Sequence, residues 1–275
     1  MKPPVIMAIT LISLTIVLAG GVFLVGCSLH RPTPRTQQEG VNENSTTGGF
    51  DRQALGGNNI AGNVEAGFIR VGGDLNVQTT SADGEYSSGR CRITTPLPEG
   101  YPAPAPPDAI ELKSYPMVRR AGIGGTMAPD WGMNFAFFPL FNHIKRREIA
   151  MTSPVEMNYN GLGAPGADKP ESWTMSFLYR KPELGPDGVD TNDGRILVED
   201  IPPMIVVAVG MRGPYKLSLV NRGIARLRDW LSNNSEWEEA DDPRALFYNG
   251  PEMNSRDKWS EVQIPIRRRS SMATR

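Results

Sequence analysis

The chain has 275 residues, with 29 Lys and Arg against 30 Asp and Glu, a formal net charge of -1 at pH 7. That balance argues against a nucleic-acid binder, which would carry a basic face. Two histidines (His30, His143) and two cysteines (Cys27, Cys91), with no CxxC, argue against a structural zinc site and leave little for histidine catalysis.

Lys2 precedes an uncharged run from Val5 to Gly26. About 20 apolar residues suffice to span a bilayer. The run ends in Leu24-Val25-Gly26-Cys27, which resembles the lipobox of bacterial lipoproteins. The resemblance implies that residues 1–26 are a signal, that the chain is cut before Cys27, and that the Cys27 thiol is acylated. An uncleaved signal anchor and ordinary secretion are the alternatives. All three export the rest of the chain, so a membrane-anchored protein of the bacterial cell envelope, periplasmic or on the outer face, is expected. Losing residues 1–26 removes Lys2 and takes the charge from -1 to -2.

Residues 27–109 read as a tether. They are poor in large apolar side chains and rich in Gly, Asn, Ser, Thr and Pro, a composition that cannot offset chain entropy by burial. Phe68–Val71 and Leu75–Val77 about Gly72-Gly73 give a weak hairpin signal. Six prolines between Pro96 and Pro107 make a stiff spacer. Cys91 has no His or basic cluster beside it and reads as a free or intermolecular thiol.

Residues 110–268 read as one domain built of two similar halves. Pro116-Met117-Val118-Arg119-Arg120-Ala121 recurs as Pro203-Met204-Ile205-Val206-Val207-Ala208. The first copy leads into a short helix over Phe138–Ile144, with Pro139 suited to its first turn. The second leads into a helix with Val220, Ile224, Leu227 and Leu231 at helical spacing. Each helix is followed by two segments of period-2 alternation: Ile149, Met151, Val155, Met157 and Tyr159, then Trp173, Met175, Phe177 and Tyr179; and Ala245–Tyr248, then Val262, Ile264 and Ile266. The expected fold is α+β, two βαββ repeats related by a pseudo-two-fold, their strands forming a distorted antiparallel barrel or curved sheet with two helices outside. Residues 269–275 continue Arg267-Arg268-Arg269 as a frayed basic tail.

Ile149-Ala150-Met151-Thr152-Ser153-Pro154-Val155 and the preceding Leu140-Phe141-Asn142-His143-Ile144 resemble the M-T-x-P-V and L-F-x-Y-I motifs of the SOUL haem-binding family. The resemblance covers roughly residues 110–268 and implies a paired βαββ fold that binds haem or another tetrapyrrole without catalysis. It places the ligand on the exposed side of the first helix, so Phe137, Phe138, Phe141, Asn142, His143 and Met151 are the expected contacts. His143 is the domain's only histidine and hence its only candidate histidine axial ligand, although the family has a tyrosine at that place. Lys145, Arg146 and Arg147 stand where they can meet propionates.

Other chemistry is thin. Gly122-Ile123-Gly124-Gly125 lacks the Lys and Ser/Thr of a phosphate loop and reads as a turn. Asp187, Asp190 and Asp193 lack calcium-loop spacing and read as solvated. Trp131, Met133, Phe135, Phe137 and Phe138 crowd around the first helix, and stripes of this kind usually belong to a core. Two alternatives stand: a different small hydrophobic effector in the same fold, or a hydrolase using Glu156 with Tyr159 or Tyr179. No protein partner is indicated.

Overall fold

A computed structural model describes residues 67–269. The signal segment, Cys27, His30 and the first part of the expected tether lie outside them, as do residues 270–275. Among the described residues no helix is long and apolar enough to cross a membrane.

The elements in chain order are β1 (Gly67–Gly73), β2 (Thr80–Ala82), β3 (Glu85–Ser88), β4 (Cys91–Ile93), β5 (Ala109–Tyr115), β6 (Val118–Gly125), α1 (Pro129–Arg146), β7 (Val155–Asn160), β8 (Ser172–Leu178), β9 (Gly188–Val189), β10 (Leu197–Ile201), β11 (Met204–Arg212), α2 (Leu217–Ser232), β12 (Trp237–Glu239), β13 (Arg244–Phe247) and β14 (Trp259–Arg268). Eleven strands form one antiparallel sheet in the order β1-β5-β11-β14-β13-β7-β8-β6-β10-β9, with β12 on β14, while β2, β3 and β4 form a small separate sheet. The fold is thus α+β, with a large antiparallel sheet and two helices. The sheet does not close into a barrel. β1 and β9 end it on opposite sides and do not pair with each other.

Alternation along the strands gives the sheet two unlike faces. Ile110, Leu112, Ala121, Met157, Trp173, Met175, Phe177, Val207, Val209, Val262 and Ile264 point to one face and pack with Leu140 and Ile144 of α1 and Val220, Ile224 and Leu227 of α2. Each Val, Leu, Ile, Met or Phe among them contributes about 1.5–3 kcal/mol on full burial. Both helices approach this face at a glycine. A Cβ on Gly132 would lie 2.0 Å from Trp173 of β8, and one on Gly223 would lie 2.6 Å from Val262 of β14.

The opposite face is ionic. Glu111, Lys113, Glu156, Arg244, Glu261 and Gln263 are all buried there. Lys113 Nζ donates to Glu261 at 2.6 Å, Arg244 Nη1 to Glu156 at 2.8 Å and Arg244 Nε to Gln263 at 2.8 Å. Residues 86–106 roof this face, with Cys91 and Ile93 buried among Tyr115, Val206, Ala208, Leu246 and Trp259.

The roof corrects the expected tether. From Gly67 onward the segment belongs to the domain, although it buries few large apolar side chains. Its main chain is held by distant polar groups instead: Ala105 N–H donates to Glu261 at 2.7 Å, while Ala105 and Ala103 carbonyls accept from Trp259 Nε1 at 2.8 Å and Lys113 at 2.7 Å. A domain cut at residue 110 would strip Glu261, Lys113 and Trp259 of these main-chain partners. The expected hairpin about Gly72-Gly73 is likewise replaced. β1 pairs along β5, Phe68 with Lys113 and Arg70 with Glu111. Arg70 also closes the ion pair to Glu111 at 3.0 Å. At the other terminus Arg267 and Arg268 are not frayed. They end β14, with Arg267 on Glu238 at 2.7 Å and Arg268 over the Trp237 ring.

Candidate functional site

α1 is 18 residues long, more than twice the expected segment. Its first-turn proline is Pro129, and Pro139 lies inside the helix, where it has no N–H for the carbonyl four residues earlier. The Asp130 carboxylate in its first turn accepts the Leu217 N–H at 2.8 Å. A negative group at the start of α2 is favoured by that helix's dipole, and the two helix starts are tied together.

Trp131, Phe135, Phe138 and Asn142 recur at intervals of four, three and four, one side of a helix. Trp131 is 70% exposed, Phe135 66%, Phe138 68% and the adjacent Phe141 40%. Asn134, Asn142 and Lys145 border them, all exposed. Met127, half exposed just before the helix, extends the surface at one end. Scattered exposed apolar residues need no explanation, but a contiguous aromatic stripe does. It is a flat, greasy surface with cations at one end.

The expected contacts divide on this helix. Phe138, Phe141 and Asn142 lie on the exposed stripe. Phe137 turns inward against Phe177, ring centroids 5.2 Å apart, and also stacks on Phe141 at 6.0 Å. Met151 is half-buried beside the core. Trp131 and Phe135, expected in the core, are about as exposed as Phe138. The signal was their spacing with Phe138 and their polar neighbours Asn134 and Asn142.

His143 is not available as an axial ligand. It is fully buried, and both ring nitrogens are engaged: Nδ1 with Asp190 Oδ2 at 2.6 Å and Nε2 with Tyr179 OH at 2.7 Å. Burial pulls the imidazole below its ordinary value, and the Asp190 hydrogen bond only partly opposes this. A neutral ring beside an ionised carboxylate donates from Nδ1 and accepts the tyrosine O–H at Nε2. Asp190 itself is buried, not solvated. Burial raises its carboxyl, but the N–H groups of Asn192 and Asp193 and the His143 ring outweigh that and hold it at about 2. Arg146 and Arg147 reach the same carboxylate at 3.2 and 3.3 Å. The hub pins the end of α1 to the loop before β10. Among the described residues no cluster of His, Cys, Asp and Glu suits a metal ion.

The M-T-S-P-V motif also serves packing. The Thr152 hydroxyl donates to the Leu178 carbonyl and the Ser153 hydroxyl to that of Tyr248, while Ser153 N–H donates to Pro96. The residues proposed for hydrolysis do not meet. Glu156 and Tyr159 point to opposite faces of β7, and Tyr179 is spent on His143. Burial alone would raise the Glu156 carboxyl, but Arg244 and Arg120 beside it bring it below the usual range. Cys91 is buried, which closes it to intermolecular pairing, and burial pushes its thiol up to about 11.

The fold and stripe define a class: an antiparallel α+β domain with an exposed aromatic helix face. The chain belongs to the SOUL heme-binding protein family, whose model matches residues 105–265. No curated protein matches the chain. Among solved structures it is similar to EcmrR in a DNA complex (16% identity, TM-score 0.47, covering 58% of this chain and 57% of that one) and to the isolated EcmrR C-terminal domain (17%, 0.44, covering 58% and 98%). A hydrolase from Listeria innocua aligns at 14% identity and TM-score 0.42, covering 60% of this chain and 93% of its own.

Proposed function

We propose that this protein is a non-catalytic haem- or tetrapyrrole-binding protein that holds its ligand reversibly against the outer face of α1. The carrying observation is the exposed stripe of Trp131, Phe135, Phe138 and Phe141. Family membership supports haem as the ligand. The stripe suits a flat macrocycle: Phe138 and Phe141 contact the ring, Asn142 borders it, and Lys145 and Arg146 at the helix end meet the propionates. His143 keeps the helix in place and does not touch iron. Bound haem supplies iron and a conjugated ring, and the chain supplies an apolar platform and two cations.

Three further readings belong to the same proposal. The lipobox-like Leu24–Cys27 and the apolar run before it favour an envelope lipoprotein acylated at Cys27, with the uncleaved anchor as the competing form. The reading of the domain as a duplicated βαββ unit is supported by the strand path from β11 through β14 and β13 to β7, β8 and β6, which reads alike from either end, and by a close glycine crossing on each helix. A family of binding proteins and a Glu156 locked between arginines favour binding over catalysis.

The test is titration of the full-length chain with haemin, followed by absorbance, for wild type and for Phe135→Ser/Phe138→Ser. Saturable micromolar binding, weakened at least tenfold in the variant, is expected. Absence of saturable binding at micromolar haemin would overturn the haem reading, and equal affinity in the variant would overturn its location.

A further inference from the structure

A second site lies on the other helix. A cleft of about 410 Å3 is lined by Asp108, Met211, Arg212, Arg222, Ala225 and Arg226. Three guanidiniums face one carboxylate there. Arg222 and Arg226 are one turn apart on α2, a spacing at which like charges repel. Arg226 is held in place: Nη1 donates to Asp108 Oδ1 at 2.8 Å and Nη2 to the Asp108 carbonyl at 3.0 Å. Asp108 is itself fixed in the left-handed region at φ 72°, its N–H on the Gly210 carbonyl at 2.9 Å and its carbonyl taking the Asp74 N–H at 3.0 Å. A non-glycine residue held in that conformation marks a position its surroundings over-determine.

The other two arginines are less committed. Arg212 Nε donates to the Arg256 carbonyl at 2.8 Å, and its nearest carboxylate, Asp257, stands 3.6 Å away. Arg222 is exposed and reaches only the Ser218 carbonyl of its own helix at 3.3 Å. Among the described residues it has no acidic partner. The rest of the lining, Met211 and Ala225, is apolar.

We propose that this cleft binds a phosphate ester. Arg222 and Arg212 grip the phosphate oxygens, as planar guanidiniums do in paired hydrogen bonds. Arg226, oriented by Asp108, adds a third positive charge, and Met211 and Ala225 meet the organic part, which favours an ester over the bare ion. A soluble ester and a phospholipid headgroup share this chemistry.

The experiment is calorimetric titration of glycerol 3-phosphate into the full-length chain held in phosphatidylcholine nanodiscs. Saturable, salt-sensitive binding is expected, at least tenfold weaker in Arg212→Ala/Arg222→Ala. Arg195→Ala, which removes one arginine from the loop before β10, as Arg222→Ala does from α2, should bind as wild type. Arg222→Ala alone removes an exposed side chain and should weaken binding severalfold, so the test survives if the double variant misfolds. Competition that grows as phosphatidylglycerol replaces phosphatidylcholine assigns the site to anionic headgroups, and its absence assigns it to soluble esters. No saturable binding at millimolar ester, or wild-type affinity in the Arg222 variants, would overturn the proposal.

Discussion

The two helices occupy the same face of the sheet and do the same structural work, yet their outer faces share almost nothing. Inward, each presents aliphatic side chains and a glycine to the core. Outward, α2 carries Ser218, Arg222, Ala225 and Asp229, the polar surface expected of a helix half in water. α1 carries Trp131, Phe135, Phe138 and Phe141 at the equivalent side. Since α2 is secured without exposed aromatics, packing does not require them on α1. The difference separates what the fold needs from what the surface is for, and it is the ground on which we propose a flat apolar ligand on α1 and polar recognition on α2.

The helices also differ in how they are fastened. α1 ends on the buried His143–Asp190–Tyr179 hub, whereas α2 ends on main-chain caps at Asn233 and Asn234. Asp190→Ala leaves His143, Arg146 and Arg147 without their carboxylate. Leaving the buried, neutral imidazole N–H of His143 unpaired costs about 1–3 kcal/mol, read as a drop in the urea midpoint. Replacement of Asn233 by Ala should cost far less. Comparable losses from both would mean that the hub is not what holds α1.

Where the helices are alike, substitutions should act alike. Gly132→Ala forces a methyl into Trp173, and Gly223→Ala forces one into Val262. Overpacking of this kind costs about 1–3 kcal/mol, so both variants should unfold at lower urea. A neutral result at either position would break the equivalence of the two crossings.

The hub makes stability depend on pH at one end of the molecule. His143 titrates below its ordinary 6.5 in the folded chain, burial being the main cause. The folded state therefore binds that proton less readily than the unfolded one. This contribution is full above 6.5 and is lost as pH falls below it. The carboxyls of Asp190 and Glu156 are held low and lose their contributions only in acid, below about 4. Between pH 7.5 and 5.5 the urea midpoint should fall in wild type and fall less in His143→Asn. Equal slopes would mean that the ring is not buried neutral.

Much of this molecule was legible in its residues, in proportion to how local the cause is. β8 and β14 follow from strict alternation at Trp173–Phe177 and Val262–Ile266, and α2 from its aliphatic spacing. α1 was read at less than half its length because Ala128 offers no side-chain cap and because the stripe puts large apolar residues on both sides of the helix. The roof was read as a tether because its burial rests on main-chain bonds to Lys113, Trp259 and Glu261, the last two more than 150 residues away. The hub was missed for the same reason: Tyr179 and Asp190 lie 36 and 47 residues from His143, and nothing near any of the three announces the others.

X-ray footprinting of the full-length chain, with and without haemin, compares the helices side chain by side chain. Trp131, Phe135, Phe138 and Phe141 on α1 should lose reactivity as haemin saturates. Tyr215 just before α2 and Trp230 within it, both half-exposed, should keep theirs. Unchanged oxidation of the four α1 aromatics, or protection that falls on Tyr215 and Trp230 instead, would contradict the assignment of the ligand to the outer face of α1.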